Sequence, residues 1–235
     1  MFIAKLDEAF YPGVESGWDD KLFREFILER IDPATIVLDL GAGAGIIPEM
    51  NFKGRAARVC GVDPDERVLK NPYLDEAKIG VGENIPYGAE SFDLIFADNV
   101  VEHLSAPTDV FREAARVLKP GGRFLFKTPN RRHYMPTIAR FTPHIFHQFY
   151  NRLRGREHED TFETHYRANT PADAARHGAA AGFDLSEVRL IESRPEYLRL
   201  SAVTYLGGIV YERAVNRIPG LGGFRILMIC EMTKR

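Results

Sequence analysis

Asp39-Leu40-Gly41-Ala42-Gly43-Ala44-Gly45 is the stretch on which the reading of this chain turns. It follows directly on Thr35-Ile36-Val37-Leu38, an apolar run of strand length. Glycine at every second position lets a backbone turn sharply and pass close to a ligand. A strand that runs into such a turn marks the edge of an open α/β sheet where ligands collect. The same glycines also suit a plain strand-to-helix turn, so the surrounding pattern has to decide. Downstream, short apolar runs at 58–62, 78–81, 92–97 and 123–128 read as strands, with helices over 46–51, 65–70 and 109–118 between them. Pro120-Gly121-Gly122 reads as a turn. Upstream, apolar residues at helical spacing behind Asp19 and Asp20 predict an amphipathic helix over 18–31. Alternating strands and helices predict a parallel sheet.

The rhythm breaks after Thr128. Residues 129–169 hold no clear strand, far beyond the usual connection of about 4–6 residues. It resumes with a helix over 170–182, a strand over 185–192, a second insertion with a helix over 201–217, and a last strand over 225–232. The chain has 235 residues and a formal net charge of −2, which suits one domain without a global attraction for polyanions. Cys60 and Cys230 each sit in an apolar run, as buried thiols of a reducing compartment do. No apolar stretch approaches the roughly 20 residues that span a bilayer, so a cytoplasmic location is expected.

Asp63 closes the second strand about 20 residues beyond the glycines, where a carboxylate accepts both hydroxyls of an adenosine ribose. Nicotinamide-binding folds share that carboxylate, but their fingerprint needs a third glycine where this chain has Ile46. Asp39 would repel a diphosphate and suits an amino-acid ammonium.

With Glu83-Asn84-Ile85-Pro86, Ser91-Phe92-Asp93-Leu94-Ile95, Val101-Glu102-His103-Leu104 and Val117-Leu118-Lys119-Pro120-Gly121-Gly122 following in order, residues 35–130 resemble a class I methyltransferase core of the small-molecule type. The tail after Thr128-Pro129-Asn130 is similar to bacterial type 11 and type 23 methyltransferases. The resemblance implies S-adenosylmethionine as cofactor. It also implies an α/β fold with a seven-stranded, mostly parallel Rossmann-like sheet, its last strand antiparallel and helices on both faces. It assigns Asp39, Gly41, Ala42, Gly43 and Gly45 to the methionine part, Asp63 with Pro64 to the ribose, and Asp98 to the same pocket. Many members accept the adenine amino group with an acid after strand 3. Here Val81-Gly82 stand in that place, leaving the Gly82 N–H or Glu83 for the ring. One domain is expected, with 1–34 a helix and lid, 35–128 the cofactor core, 129–169 and 193–224 substrate-side insertions, and 170–192 and 225–235 the rest of the core.

By the same resemblance, three connections meet at the cofactor edge, and the acceptor should lie among them. His103 is a candidate base working near neutral pH, or a residue that fills its turn. His133 is a second catalytic candidate, and Asn99 and Tyr134 are substrate-side candidates. Residues 131–156 carry six arginines, three histidines and no acid. Arg131 and Arg132 therefore suit an anionic acceptor, unless Glu157, Glu159, Asp160 and Glu163 neutralise the segment. Ile145, Phe146, Phe149, Tyr150 and Leu153 fall at helical spacing, as in a helix packed on a core or lying on a membrane surface. His144 and His147 lack a third ligand at a diagnostic spacing, so no metal is expected. The function expected is methyl transfer to oxygen or nitrogen of a sugar, lipid precursor or secondary metabolite. The alternatives are a nucleic-acid methyltransferase, against which Ala97-Asp98-Asn99-Val100 and the net charge argue, and a cofactor-binding protein without catalysis.

Overall fold

The computed structural model describes residues 2–14, 18–141 and 163–235. Its seven-stranded sheet has the order β3-β2-β1-β4-β5-β7-β6. The strands are β1 (Ile36–Leu40), β2 (Arg58–Asp63), β3 (Glu76–Ile79), β4 (Phe92–Asp98), β5 (Leu118–Pro129), β6 (Phe183–Ile191) and β7 (Leu227–Lys234). β1 to β5 run parallel, and β5-β7-β6 is antiparallel, as the resemblance implied. The chain divides into two compact units.

The larger unit comprises 16–128, 165–189 and 228–235. It contains β1 to β4, nearly all of β5 to β7, and the helices α2 (Trp18–Leu28), α3 (Pro107–Val117) and α5 (Pro171–Ala180). Register fixes the two faces of the sheet, because paired residues of parallel strands point the same way. Asp39 pairs with Phe96, Phe96 with Leu125, and Asp98 with Lys127, so Asp39, Phe96, Asp98 and Lys127 share one face. α2 covers that face, with Phe23 edge-on to Phe96 at 6.4 Å. Ile95, Phe124 and Phe126 lie on the other face, under Phe111 of α3 at 5.3 Å from Phe124 and 5.8 Å from Phe126. Each fully buried ring contributes about 1.5–3 kcal/mol, which is why the apolar runs hold as strands.

Several boundaries differ from the sequence reading. The helix expected over 46–51 is one 3-10 turn, Pro48–Met50. The 65–70 helix is likewise 3-10, Glu66–Lys70, closed by Asn71-Pro72. Few residues separate Gly45 from Pro48 and Pro48 from Gly54, too few to repay helix nucleation. β3 begins two residues early and is polar, as an edge strand can be. Residues 81–84 make a turn instead. Pro120-Gly121-Gly122 lies within β5 as a bulge: the register with β4 jumps from Phe92–Leu118 to Leu94–Arg123, and Gly121 takes φ +74°.

The smaller unit comprises 1–15, 129–164 and 190–227, which gathers most of both predicted insertions together with the N-terminal residues. It holds α1 (Phe2–Phe10), α4 (Tyr134–Phe141) and α6 (Ala202–Arg217). Ser201 and Thr204 form a capping box at the start of α6. α1, which the sequence reading did not resolve as a helix of its own, is fastened to α6. Asp7 accepts from Tyr205 and pairs with Arg199 at 2.6 Å, and the Tyr11 hydroxyl donates to Glu212 at 3.0 Å. No helix among the described residues is long and apolar enough to cross a membrane.

Candidate cofactor site

The glycine loop leaves β1 with Gly41 at φ +86° and Gly45 at φ +71°. A Cβ on Gly41 would stand 2.3 Å from Val100, and one on Gly45 2.2 Å from Asn71 Oδ1. Both the backbone angle and the space therefore demand glycine. The loop is fastened to the end of β2. Gly43 N donates to Asp63 Oδ2 at 2.9 Å, and Asp65 N donates to Asp63 Oδ1 at 2.8 Å. Each carboxylate oxygen has one backbone donor and keeps a lone pair for a second, which is what two ribose hydroxyls require. Pro64, next to it, is exposed.

Asn71 is a residue the sequence reading missed. Its Nδ2 donates to the carbonyls of Ala42 at 2.9 Å and Gly43 at 3.2 Å, and its Oδ1 accepts from Tyr73 N at 2.9 Å. Asn-Pro marks a turn in sequence, but nothing there says which loop the turn braces. Only a single 3-10 turn, Pro48–Met50, follows the loop, so the α-helix whose N-terminus usually receives a dinucleotide diphosphate does not start there. Ile46, in place of the third glycine, is exposed. Gly82 lies in the 81–84 turn against Val110, and Glu83 beside it is exposed.

The crevice is acidic. Burial, then Asp98 and Asp63, hold the Asp39 carboxyl well above the usual range. Asp98 ends β4, one carboxylate oxygen bonded to Lys127 Nζ at 2.9 Å and to Asn99 Nδ2 at 3.0 Å. Its Oδ2 is buried without a hydrogen-bond partner. Burial pushes the Asp98 carboxyl up to about 6 against the opposing pull of Lys127. Asn99 takes φ +52° and bonds Asp98, so its side chain is engaged inside the site. Glu102 is also buried. Its carboxylate accepts from Thr128 Oγ1 at 2.7 Å, which accepts from Asn169 Nδ2 at 2.6 Å, and burial raises it to about 7. His103 ends the following 3-10 turn, half-buried, with its N–H on the Val100 carbonyl at 3.0 Å. All these groups belong to the larger unit.

Of the acceptor-side candidates, Arg131, Arg132, His133 and Tyr134 belong to the smaller unit, whereas Asn99 and His103 belong to the larger. Arg131 and Arg132 are exposed, and Arg132 N donates to Asn130 Oδ1 at 3.1 Å. His133 is 1% exposed. Its Nδ1 accepts from Met135 N at 3.2 Å, which assigns the ring proton to Nε2 at 3.5 Å from Glu192. Tyr134 and Tyr211 close around the ring at 4.0 and 5.3 Å. Burial pulls His133 down to about 3, and the ring is walled in by the two tyrosines. His144, His147 and the apolar stripe of 145–153 lie outside the described residues. Among the described residues no cluster of three or more metal-ligating side chains occurs.

Residues 38–126 match the methyltransferase domain model. A ubiquinone biosynthesis O-methyltransferase from Hahella chejuensis is 37% identical over 117 residues, covering 46% of this chain and 49% of that protein. The chain thus spans about half the length of the curated relatives it matches. Among solved structures, the YcgJ protein from Bacillus subtilis superposes with a TM-score of 0.56 at 20% identity, over 90% of this chain and 97% of that one. The cyclase SpnF superposes with a TM-score of 0.57 at 16% identity, over 91% and 80%. These likenesses are of fold.

Proposed function

We propose that this chain, which has the core of a class I S-adenosylmethionine-dependent methyltransferase, transfers the cofactor's methyl group to an oxygen or nitrogen of a small molecule. The observation that carries the reading is the loop fastened by Asp63 and Asn71 beside an acidic crevice, followed by a single 3-10 turn in place of an α-helix. That arrangement suits a ribose and a cationic methionine end, and it disfavours a diphosphate. Asp63 takes the ribose hydroxyls. Gly41, Ala42, Gly43 and Gly45 offer backbone to the methionine part, with Asp39 and Asp98 at its positive end. Gly82 and Glu83 are the adenine-side candidates.

A sulfonium methyl is already electrophilic, so the protein contributes orientation more than activation. Oxygen is favoured as the acceptor atom by the name of the relatives in ubiquinone biosynthesis. A hydroxyl acceptor needs its proton removed, for which His103 is the candidate. Arg131 and Arg132 are the candidates for an anionic group on the acceptor. The SpnF likeness supports a second reading, in which the fold binds the cofactor and serves other chemistry.

Calorimetry with S-adenosylmethionine, S-adenosylhomocysteine and a nicotinamide dinucleotide is the first test. The two sulfur nucleosides should bind and the dinucleotide should not. The second is transfer of a labelled methyl group to a panel of phenols, sugars and anionic lipid precursors. Cofactor binding without transfer to any of them would favour the non-methylating reading.

A further inference from the structure

Lys127 is the buried charge that the proposed chemistry does not use. It sits one residue before the end of the core segment of β5, and its side chain is fully buried. Three carboxylates surround its ammonium: Asp98 at 2.9 Å, Asp19 at 3.2 Å, and Asp20 in direct contact. Asp98 comes from the neighbouring strand, and Asp19 and Asp20 from the first turn of α2. Acids in a first helical turn usually answer their own helix dipole. Here they reach across to a strand end.

We infer that Lys127 is a positioning residue for the cofactor: it grips Asp98 by one carboxylate oxygen so that the other is left for the cationic methionine end, and it ties the start of α2 to the same point. The inference rests on S-adenosylmethionine being the ligand. It is carried by the buried, unpartnered Oδ2 of Asp98 on the face it shares with Asp39. A strand-end lysine is not needed for packing, since a buried ammonium costs several kcal/mol unless paired and an apolar residue would fill the place. Paired with three acids, it leaves the crevice with surplus negative charge. That surplus favours a ligand whose sulfonium and ammonium outweigh its one carboxylate.

Asp98 is faced by Lys127 from β5, Asp19 and Asp20 from α2, Asp39 from β1, and Glu102 from the turn after β4. Every one of these except Lys127 is acidic, so Lys127 is the cation among them that favours an ionised Asp98, with the Asn99 amide donating to the same oxygen. Burial pulls the Lys127 ammonium towards deprotonation, and the three carboxylates more than restore it.

The test is the pH dependence of cofactor affinity. In the parent, affinity should rise as pH passes about 6, where Asp98 ionises, and level off above. In Lys127→Met the rise should move upward by about one pH unit or more, leaving binding roughly tenfold weaker near neutral pH and largely recovered above pH ~8. Lys127→Arg should keep the parent profile. Asp98→Asn should bind weakly with a flat profile, and adding Lys127→Met to it should cost little more. Unaltered affinity in Lys127→Met overturns the inference, and so does a loss of the same factor at every pH. Should Lys127→Met fail to fold, the Asp98→Asn profile decides: a parent-like rise there means that another group carries the dependence. Failure of the parent to bind either sulfur nucleoside would instead overturn the cofactor reading, a result that calorimetry on the parent separates from the others.

Discussion

Replacing Asp63 by alanine tests the ribose placement with a number attached. Two ligand hydroxyls donating to one carboxylate fall in the class of charge-assisted hydrogen bonds, worth about 1.5–3 kcal/mol, or roughly a 10- to 150-fold change in Kd. Asp63 also serves the protein itself, because it accepts from Gly43 N and Asp65 N. Asp63→Ala therefore leaves two backbone donors to find water, at about 1–3 kcal/mol of stability, or a melting shift of a few degrees for a chain of this size. The two effects separate by changing the ligand as well as the protein. Calorimetry should compare S-adenosylhomocysteine with its analogue lacking both ribose hydroxyls. The parent should lose roughly 10- to 150-fold when the hydroxyls are removed, and Asp63→Ala should be nearly indifferent to them. If the variant discriminates between the two ligands as strongly as the parent does, Asp63 does not hold the ribose. The melting shift would then be its whole role.

Asn71→Ala should weaken S-adenosylhomocysteine by about 1–2 kcal/mol, seen by calorimetry, because it frees the Ala42 and Gly43 carbonyls without touching the ligand. Burial holds Glu192 up at about 8, above its unfolded value, so its contribution to stability is complete at low pH and is lost as pH rises towards 8. Glu192→Gln should therefore flatten the fall in unfolding free energy between about pH 5 and 8, by at most about 1.4 kcal/mol per pH unit, in urea titrations at several pH values. Once an acceptor is known, replacing Arg131 and Arg132 together should raise its KM with kcat nearly intact if the acceptor is anionic. His103→Ala should lower kcat by roughly 10²–10⁴-fold with cofactor affinity unchanged if His103 takes the proton, and full rate across pH would remove it from that role.

The cofactor half of the molecule was legible in the sequence because its signals are local. Asp39, the glycines and Asp63 lie at strand ends, and strands buried on both faces announce themselves as apolar runs. What escaped reading depends on partners far along the chain. Asn71 braces a loop 29 residues earlier, and Lys127 meets acids 107 and 108 residues away. A lone lysine in Phe124-Leu125-Phe126-Lys127 reads as the end of a strand, not as a buried hub. The helix expected after the glycines failed for the opposite reason: the alternation of strands and helices suggested it, while locally the turn Pro48–Met50 ends at Asn51 in extended backbone, with Gly54 at φ +75° close behind. His133 was a candidate because it lies just past β5. Tyr134 packs on its ring from the next position, but the other wall, Tyr211, comes from α6, more than 60 residues on.

The short turn after the glycine loop has a consequence for how occupancy can be observed. A loop hung from Asp63 and Asn71, with no long helix frozen behind it, opens by breaking a few hydrogen bonds and not by unravelling an element. Its Gly43 amide is thus a clock of low stability beside β1 and β2, whose amides answer to global unfolding. A ligand that fills the crevice slows that clock by opposing the local opening, whereas the β1 and β2 amides slow only by the global stability that binding adds. Amide exchange at Gly43 then reports cofactor residence directly, before any acceptor has been identified.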